Sequence, residues 1–125
     1  MGKLLVKSFG VDFGREIAPA GMRILEVLKQ IAAAVDFDIT ITSARDGEHS
    51  GLNDPHHTAE AFDLRTNTLT DEQKATFLAD LRETLYKTPR KFYAFLEAPG
   101  QPYEHIHVQR RKGTVYTILD YLNNA

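Results

Sequence analysis

The chain has 125 residues, 42% hydrophobic and 26% charged, with no cysteine, no tryptophan and a formal net charge of −2. Seven Phe, five Tyr and a good supply of aliphatic residues provide for a packed core and exclude a disordered tail. The lack of cysteine excludes disulfides, cysteine nucleophiles and thiolate metal sites, and the small negative charge gives no global attraction to nucleic acid or an anionic membrane.

No apolar run approaches the roughly 20 residues that span a bilayer, so no membrane insertion is expected. The opening Met1-Gly-Lys-Leu-Leu-Val-Lys7 has only three consecutive apolar residues, short of the ~7–15 of a signal-peptide core. The reading is therefore cytoplasmic at synthesis. No repeat, linker or low-complexity tract divides the chain, and residues 1–125 are expected to form a single domain.

In chain order, a first helix is predicted from about Ala18 to Val35. Ile24, Leu28, Ile31 and Val35 recur at helical spacing, and Pro19 suits the first turn. In Asp38-Ile-Thr-Ile-Thr-Ser43, Ile39 and Ile41 alternate with threonine as in a half-buried strand. Residues Ala44–Pro55, with Gly47, Gly51, Asn53-Asp54 and Pro55, carry loop chemistry. A short strand follows at Ala61–Arg65. Thr70-Asp-Glu-Gln73 reads as a capping box opening a second helix, through Leu78, Leu81 and Leu85 to Thr88, which Pro89 stops. Lys91–Leu96 is an aromatic-rich strand, Ala98–Pro102 a turn and Glu104–Arg110 another strand. A final helix is predicted over about Thr114–Leu122, with Val115, Ile118, Leu119 and Leu122 on one side. Tyr93, Phe95 and Tyr103 read as packing residues, and Arg110-Arg-Lys112 as a solvated strand end. Helices and strands mix without strict βαβ alternation, so the expected class is α+β, a small, mostly antiparallel sheet flanked by helices.

All five histidines fall in two segments: His49, His56 and His57 in the loop, His105 and His107 on the late strand. On a strand the last two share a face, opposite Ile106 and Val108, where they can share a metal or divide its work. Asp63 shares a face with Ala61, opposite Phe62 and Leu64. A carboxylate in so apolar a run needs hydrogen bonds or a cation, which Arg65, Arg45 or a metal can supply. Without cysteine, a zinc site must be built from His and Asp or Glu, and its catalytic form has three protein ligands plus a water. A carboxylate outside that set then takes the water proton, and Glu104, three residues before His107, stands ready for it. Arg45, in the loop leading to His56, suits an oxyanion or a substrate carboxylate.

The stretch Ser43-Ala-Arg45, then His56-His-Thr-Ala59-Glu-Ala61-Phe-Asp63-Leu64, then Glu104-His-Ile-His107-Val108, resembles the zinc D-Ala-D-Ala carboxypeptidases. These belong to the wider Hedgehog/DD-peptidase fold group, which includes phage endolysins. The resemblance covers about residues 18–122 and implies a Hedgehog/DD-peptidase-like fold. It implies one Zn2+ per chain held by His56, Asp63 and His107, the seven-residue step to Asp63 selecting His56 over His57. It further implies Glu104 as catalytic base, His105 as an auxiliary histidine beside the metal, and Arg45 as a transition-state contact. Ser43, Asp46, His49 and Asp54 are read as residues that orient the ligands or face the substrate. Two positions depart from the family pattern: Asp54 stands where Ser is usual, and Ala59 where Gly is usual. Ala59 is expected to keep an ordinary backbone conformation, which bears on metal affinity and substrate preference.

The expected activity is that of a monomeric zinc metallopeptidase, a hydrolase cleaving peptidoglycan stem peptides or short D-amino-acid-containing peptides. It would work as a D-Ala-D-Ala carboxypeptidase or an endolysin-like endopeptidase, reaching the cell wall after lysis or holin-type export. The alternative is a non-catalytic zinc-binding recognition module on the same fold.

Overall fold

The computed structural model describes residues 1–8, 11, 17–44, 59–87 and 90–124. Among them the chain order is β1 (Leu4–Val6), α1 (Pro19–Ala34), β2 (Ile39–Ser43), β3 (Ala61–Arg65), α2 (Asp71–Leu85), β4 (Phe92–Glu97), β5 (His105–Arg110) and α3 (Ile118–Asn124). The strands form one five-stranded sheet in the order β1-β2-β3-β5-β4. The class is α+β, but the sheet is mixed, which corrects the mostly antiparallel expectation. β1 pairs with β2 in parallel, while β2–β3, β3–β5 and β4–β5 are antiparallel. The cause is a crossover. β1 and β2 are joined through α1, and such a connection returns the chain in the same direction. Three residues are too short to show strand periodicity, so β1 escapes a pattern reading. Its place is fixed instead by Ile39 N–H donating to Lys3 O and Lys7 N–H donating to Ile41 O, each at 2.9 Å.

Strand alternation sends Phe62 and Leu64 of β3, Ile106 and Val108 of β5, and Phe92 and Ala94 of β4 to one face of the sheet. There they bury against Ile24, Val27 and Leu28 of α1 and Phe77, Leu81 and Leu85 of α2. The opposite face carries Asp63, His105, His107, Gln109, Tyr93, Phe95 and Glu97. In β2 the register shifts between Ile41, which pairs with Leu64, and Ser43, which pairs with Asp63. This bulge re-aims the end of the strand and sets Ser43 across from Asp63.

The helices start where local chemistry satisfies their first amides. Pro19 opens α1. At α2 the capping box is complete, with Thr70 Oγ1 accepting from Gln73 N–H at 3.1 Å and Gln73 Oε1 from Thr70 N–H at 2.9 Å. Thr88 and Pro89 lie outside the described residues. α3 begins later than the apolar spacing suggests, because Thr117 caps it. Thr117 Oγ1 accepts from Asp120 N–H at 3.2 Å, and Asp120 Oδ2 accepts from Thr117 N–H at 2.7 Å. Val115, Ile118, Leu119 and Leu122 are exposed, whereas Tyr116 is buried and Tyr121 packs against the core with its hydroxyl donating to Glu26 at 3.0 Å. No helix among the described residues is long and apolar enough to cross a membrane.

The approach to β3 is tight. A Cβ placed on Gly21 of α1 would meet the Ala59 carbonyl oxygen at 2.0 Å, so glycine is required where α1 crosses this backbone. Ala59 has φ of 53°, correcting the expectation of an ordinary conformation. This left-handed geometry costs a non-glycine residue about 1–2 kcal/mol, while glycine gives back roughly 0.5–1 kcal/mol through its freer unfolded chain. Ala59→Gly is therefore expected to raise stability by about 0.5–1 kcal/mol, measured as a shift in urea midpoint at unchanged slope.

Candidate metal centre

The site is assembled by register. Across β3 and β5, Asp63 pairs with His107 and Arg65 with His105; across β4 and β5, Phe95 pairs with His107 and Glu97 with His105. Asp63 Oδ1 lies 2.7 Å from His107 Nδ1 and 3.5 Å from His105 Nε2. One donor atom from each of Asp63, His105 and His107 falls within 4.8 Å of the others, a group that could hold a metal ion. Tyr93 and Phe95 stack at 5.7 Å between ring centroids and pack beside the His107 ring, at 6.2 and 5.4 Å.

The partners of the imidazoles assign their protons. His105 Nδ1 lies 2.9 Å from the Tyr103 carbonyl, which can only accept, so Nδ1 carries hydrogen and Nε2 faces Asp63 and Glu97. His107 Nε2 lies 2.7 Å from Gln109 Oε1. The Gln109 amide nitrogen donates to the Arg110 carbonyl at 3.0 Å, which keeps the oxygen turned to His107. His107 thus gives hydrogen to Gln109 and turns Nδ1 towards Asp63, the arrangement in which outer partners aim ring nitrogens at a metal. Burial alone would lower the His107 pKa, but the Asp63 and Gln109 hydrogen bonds outweigh it and raise the value above the usual histidine range.

Glu104, expected as the base, is not part of this group. The residue just before β5 turns with Ile106 towards α2, away from His105 and His107. Its Oε1 is 2.7 Å from Lys74 Nζ and accepts from Thr66 Oγ1 at 2.7 Å, while Oε2 accepts from Gly100 N–H at 2.8 Å. The Gly100 amide, then Lys74 and Thr66, hold the carboxyl down to about 2. Such a carboxylate anchors the turn before β5 to α2 and is a poor proton acceptor.

The remaining expected residues divide. Ser43 reaches the site edge through the β2 bulge. Arg45, Asp46, His49, Asp54, His56 and His57 lie outside the described residues. Tyr103 is exposed, not packed, and serves the site through its carbonyl. The basic run is not simply solvated: Arg110 binds Glu60, with Nε to Oε2 at 2.5 Å, and Arg111 lies over the Tyr93 ring at 5.3 Å. Sequence reading missed Gln109 and Glu97. The alternation that pairs His105 with His107 also includes Gln109, while Glu97 follows Phe95 on the neighbouring strand, visible only once register is known.

Two measurements follow from these charges. Zn2+ affinity, titrated calorimetrically, is expected to rise as pH is raised through and above the usual histidine range, because the Asp63 and Gln109 hydrogen bonds favour the protonated His107 that competes with the ion. Glu104 has a pKa lower folded than unfolded, so its contribution to stability is present above about 4.5 and is lost as pH falls towards about 2. Glu104→Gln is expected to lower the thermal midpoint at neutral pH, to converge with wild type near pH 2, and to leave metal stoichiometry unchanged.

Comparison of the chain with protein-family models, curated proteins and solved structures finds no match.

Proposed function

We propose that this chain is a metal-dependent peptidase acting on peptidoglycan stem peptides, as a D-Ala-D-Ala carboxypeptidase or an endolysin-like endopeptidase, on a Hedgehog/DD-peptidase-like fold. The observation that carries the reading is the meeting of Asp63, His105 and His107. They come from the two sequence blocks that resemble zinc D-Ala-D-Ala carboxypeptidases. Ala59 adds support, since its positive φ falls where that family usually has glycine.

The donor chemistry fits the implied zinc: imidazole and carboxylate without thiolate suit Zn2+, and also other first-row divalent ions. When bound, such an ion acidifies a water and polarises a carbonyl. In this reading Asp63 and His107 hold it together with His56, and His105 stands beside it. The Tyr103 carbonyl and Gln109 keep both rings turned inward, and Arg45 receives a substrate carboxylate or a developing oxyanion. The protein works as a monomer that meets peptidoglycan at the cell wall after lysis or holin-type export.

One observation favours a second reading. Glu104, the base that the resemblance implies, is bound to Lys74, Thr66 and Gly100 on the helix side, as suits a non-catalytic zinc-binding recognition module. Mass spectrometry of purified sacculi digested with zinc-loaded protein, against a chelated control, separates the two. New chelator-sensitive peptide termini are expected for the peptidase and would identify its bond. No cleavage by protein with zinc confirmed bound would overturn the wall peptidase in favour of the module or of a peptide substrate outside the wall. Asp63→Asn is expected to abolish equimolar zinc in either case, read by elemental analysis after dialysis.

A further inference from the structure

We propose that Tyr93, Phe95 and Arg111 form a binding subsite beside the metal centre that takes an acidic, extended peptide, with Arg111 receiving a free carboxylate of that peptide. The inference rests on the peptidase reading where it calls this peptide the substrate. The subsite itself is a matter of binding and is tested without cleavage.

Tyr93 and Phe95 lie on the site face of β4, both half-buried, and Phe95 stands directly across from His107. Their rings stack at 5.7 Å with an interplanar angle of 19°. The strand ladder runs on past the end of β5. Arg111 N–H donates to Lys91 O at 2.7 Å, and alternation puts Arg111 on the same face as His107 and Gln109. Its guanidinium carbon lies 5.3 Å from the centroid of the Tyr93 ring. His107, Phe95, Tyr93 and Arg111 therefore follow one another along the face. Four strand residues at about 3.3 Å each set Arg111 about 13 Å from His107.

The two stacked rings offer a floor on which the aliphatic parts of a peptide can bury. Stacking on Tyr93 occupies only the flat face of the guanidinium. The in-plane N–H donors stay at its edge, in the fork that a carboxylate accepts bidentately. Charge selects an anion at this end. Lys91 is bound to Asp120 and Arg110 to Glu60, whereas Arg111 has no carboxylate partner among the described residues. Arg90 and Lys112, both exposed, adjoin Lys91 and Arg111 in the chain. The other end of the same face carries Asp63 and Glu97, so a ligand carboxylate is turned towards Arg111 and away from them. The γ-linked D-glutamate of a stem peptide bears such a free carboxylate, at about this distance from the terminal D-Ala-D-Ala bond.

The test is an NMR titration of the intact chain, kept in chelator so that no bond is cut. The probes are the synthetic pentapeptide L-Ala-γ-D-Glu-L-Lys-D-Ala-D-Ala and its twin with the glutamate carboxylate converted to an amide. The acid form is expected to bind about 5–10-fold more tightly than the amide and to shift the Tyr93 and Phe95 ring resonances. Arg111→Gln is expected to abolish that preference without weakening the amide form, and Arg111→Lys to keep part of it, both at wild-type thermal midpoints because Arg111 is exposed. No binding, equal affinity for the two peptides, or an undiminished preference in Arg111→Gln would overturn the inference. Cleavage of sacculi by zinc-loaded Arg111→Gln at the wild-type kcat/KM would overturn it and leave the peptidase standing. Arg111-dependent binding of the acid form by a chain that cleaves nothing when zinc-loaded would uphold the subsite and remove the peptidase.

Discussion

In the pairing of β3 with β5, Asp63 stands opposite His107 and Phe62 opposite Val108. One register thus serves two purposes. Even positions from Phe62 to Val108 close the core against α1 and α2, and odd positions bring a carboxylate and two imidazoles together on the far face. A slip of one residue would bury Asp63 and expose Phe62, which the loss of several kcal/mol of apolar burial forbids. The core therefore enforces the geometry of the site, and no separate interaction has to align Asp63 with His107.

The acids around β5 show how sequence adjacency differs from spatial adjacency. Glu104 is next to His105 in sequence, yet alternation sends it to Lys74 on α2. Glu97 is eight positions from His105 in sequence, yet pairs with it across the hairpin. The two carboxylates carry different loads. Three donors hold Glu104 ionised to about pH 2 and tie the turn at Gly100 to the helix layer. Glu97 is half exposed and shares one imidazole nitrogen with Asp63. The first is satisfied by fixed donors and ties two layers of the fold together, whereas the second is held by one contact at the solvent edge.

Much of this was legible in sequence. The capping box at Thr70 placed α2, Pro19 and the apolar spacing placed α1, and alternation placed β3 and β5 with Asp63, His105 and His107 on one face. What escaped depended on partners distant in sequence. β1 is a strand only because β2 receives it in parallel through α1. The apolar side of α3 is exposed, while Tyr116 and Tyr121 pack against the core and Tyr121 reaches a hydrogen-bond acceptor on α1. The positive φ of Ala59 follows from the close passage of Gly21, and nothing in the local sequence announces it.

The residues of the candidate site are held in place by protein partners. The Tyr103 carbonyl meets His105 Nδ1, Gln109 Oε1 meets His107 Nε2 and Asp63 Oδ1 meets His107 Nδ1, while Phe62, Ile106 and Val108 pack beneath them in the core. Groups outside the trio therefore decide which nitrogen of each ring is turned to Asp63, and the strands that carry the trio on one face are the strands that close the core with the other.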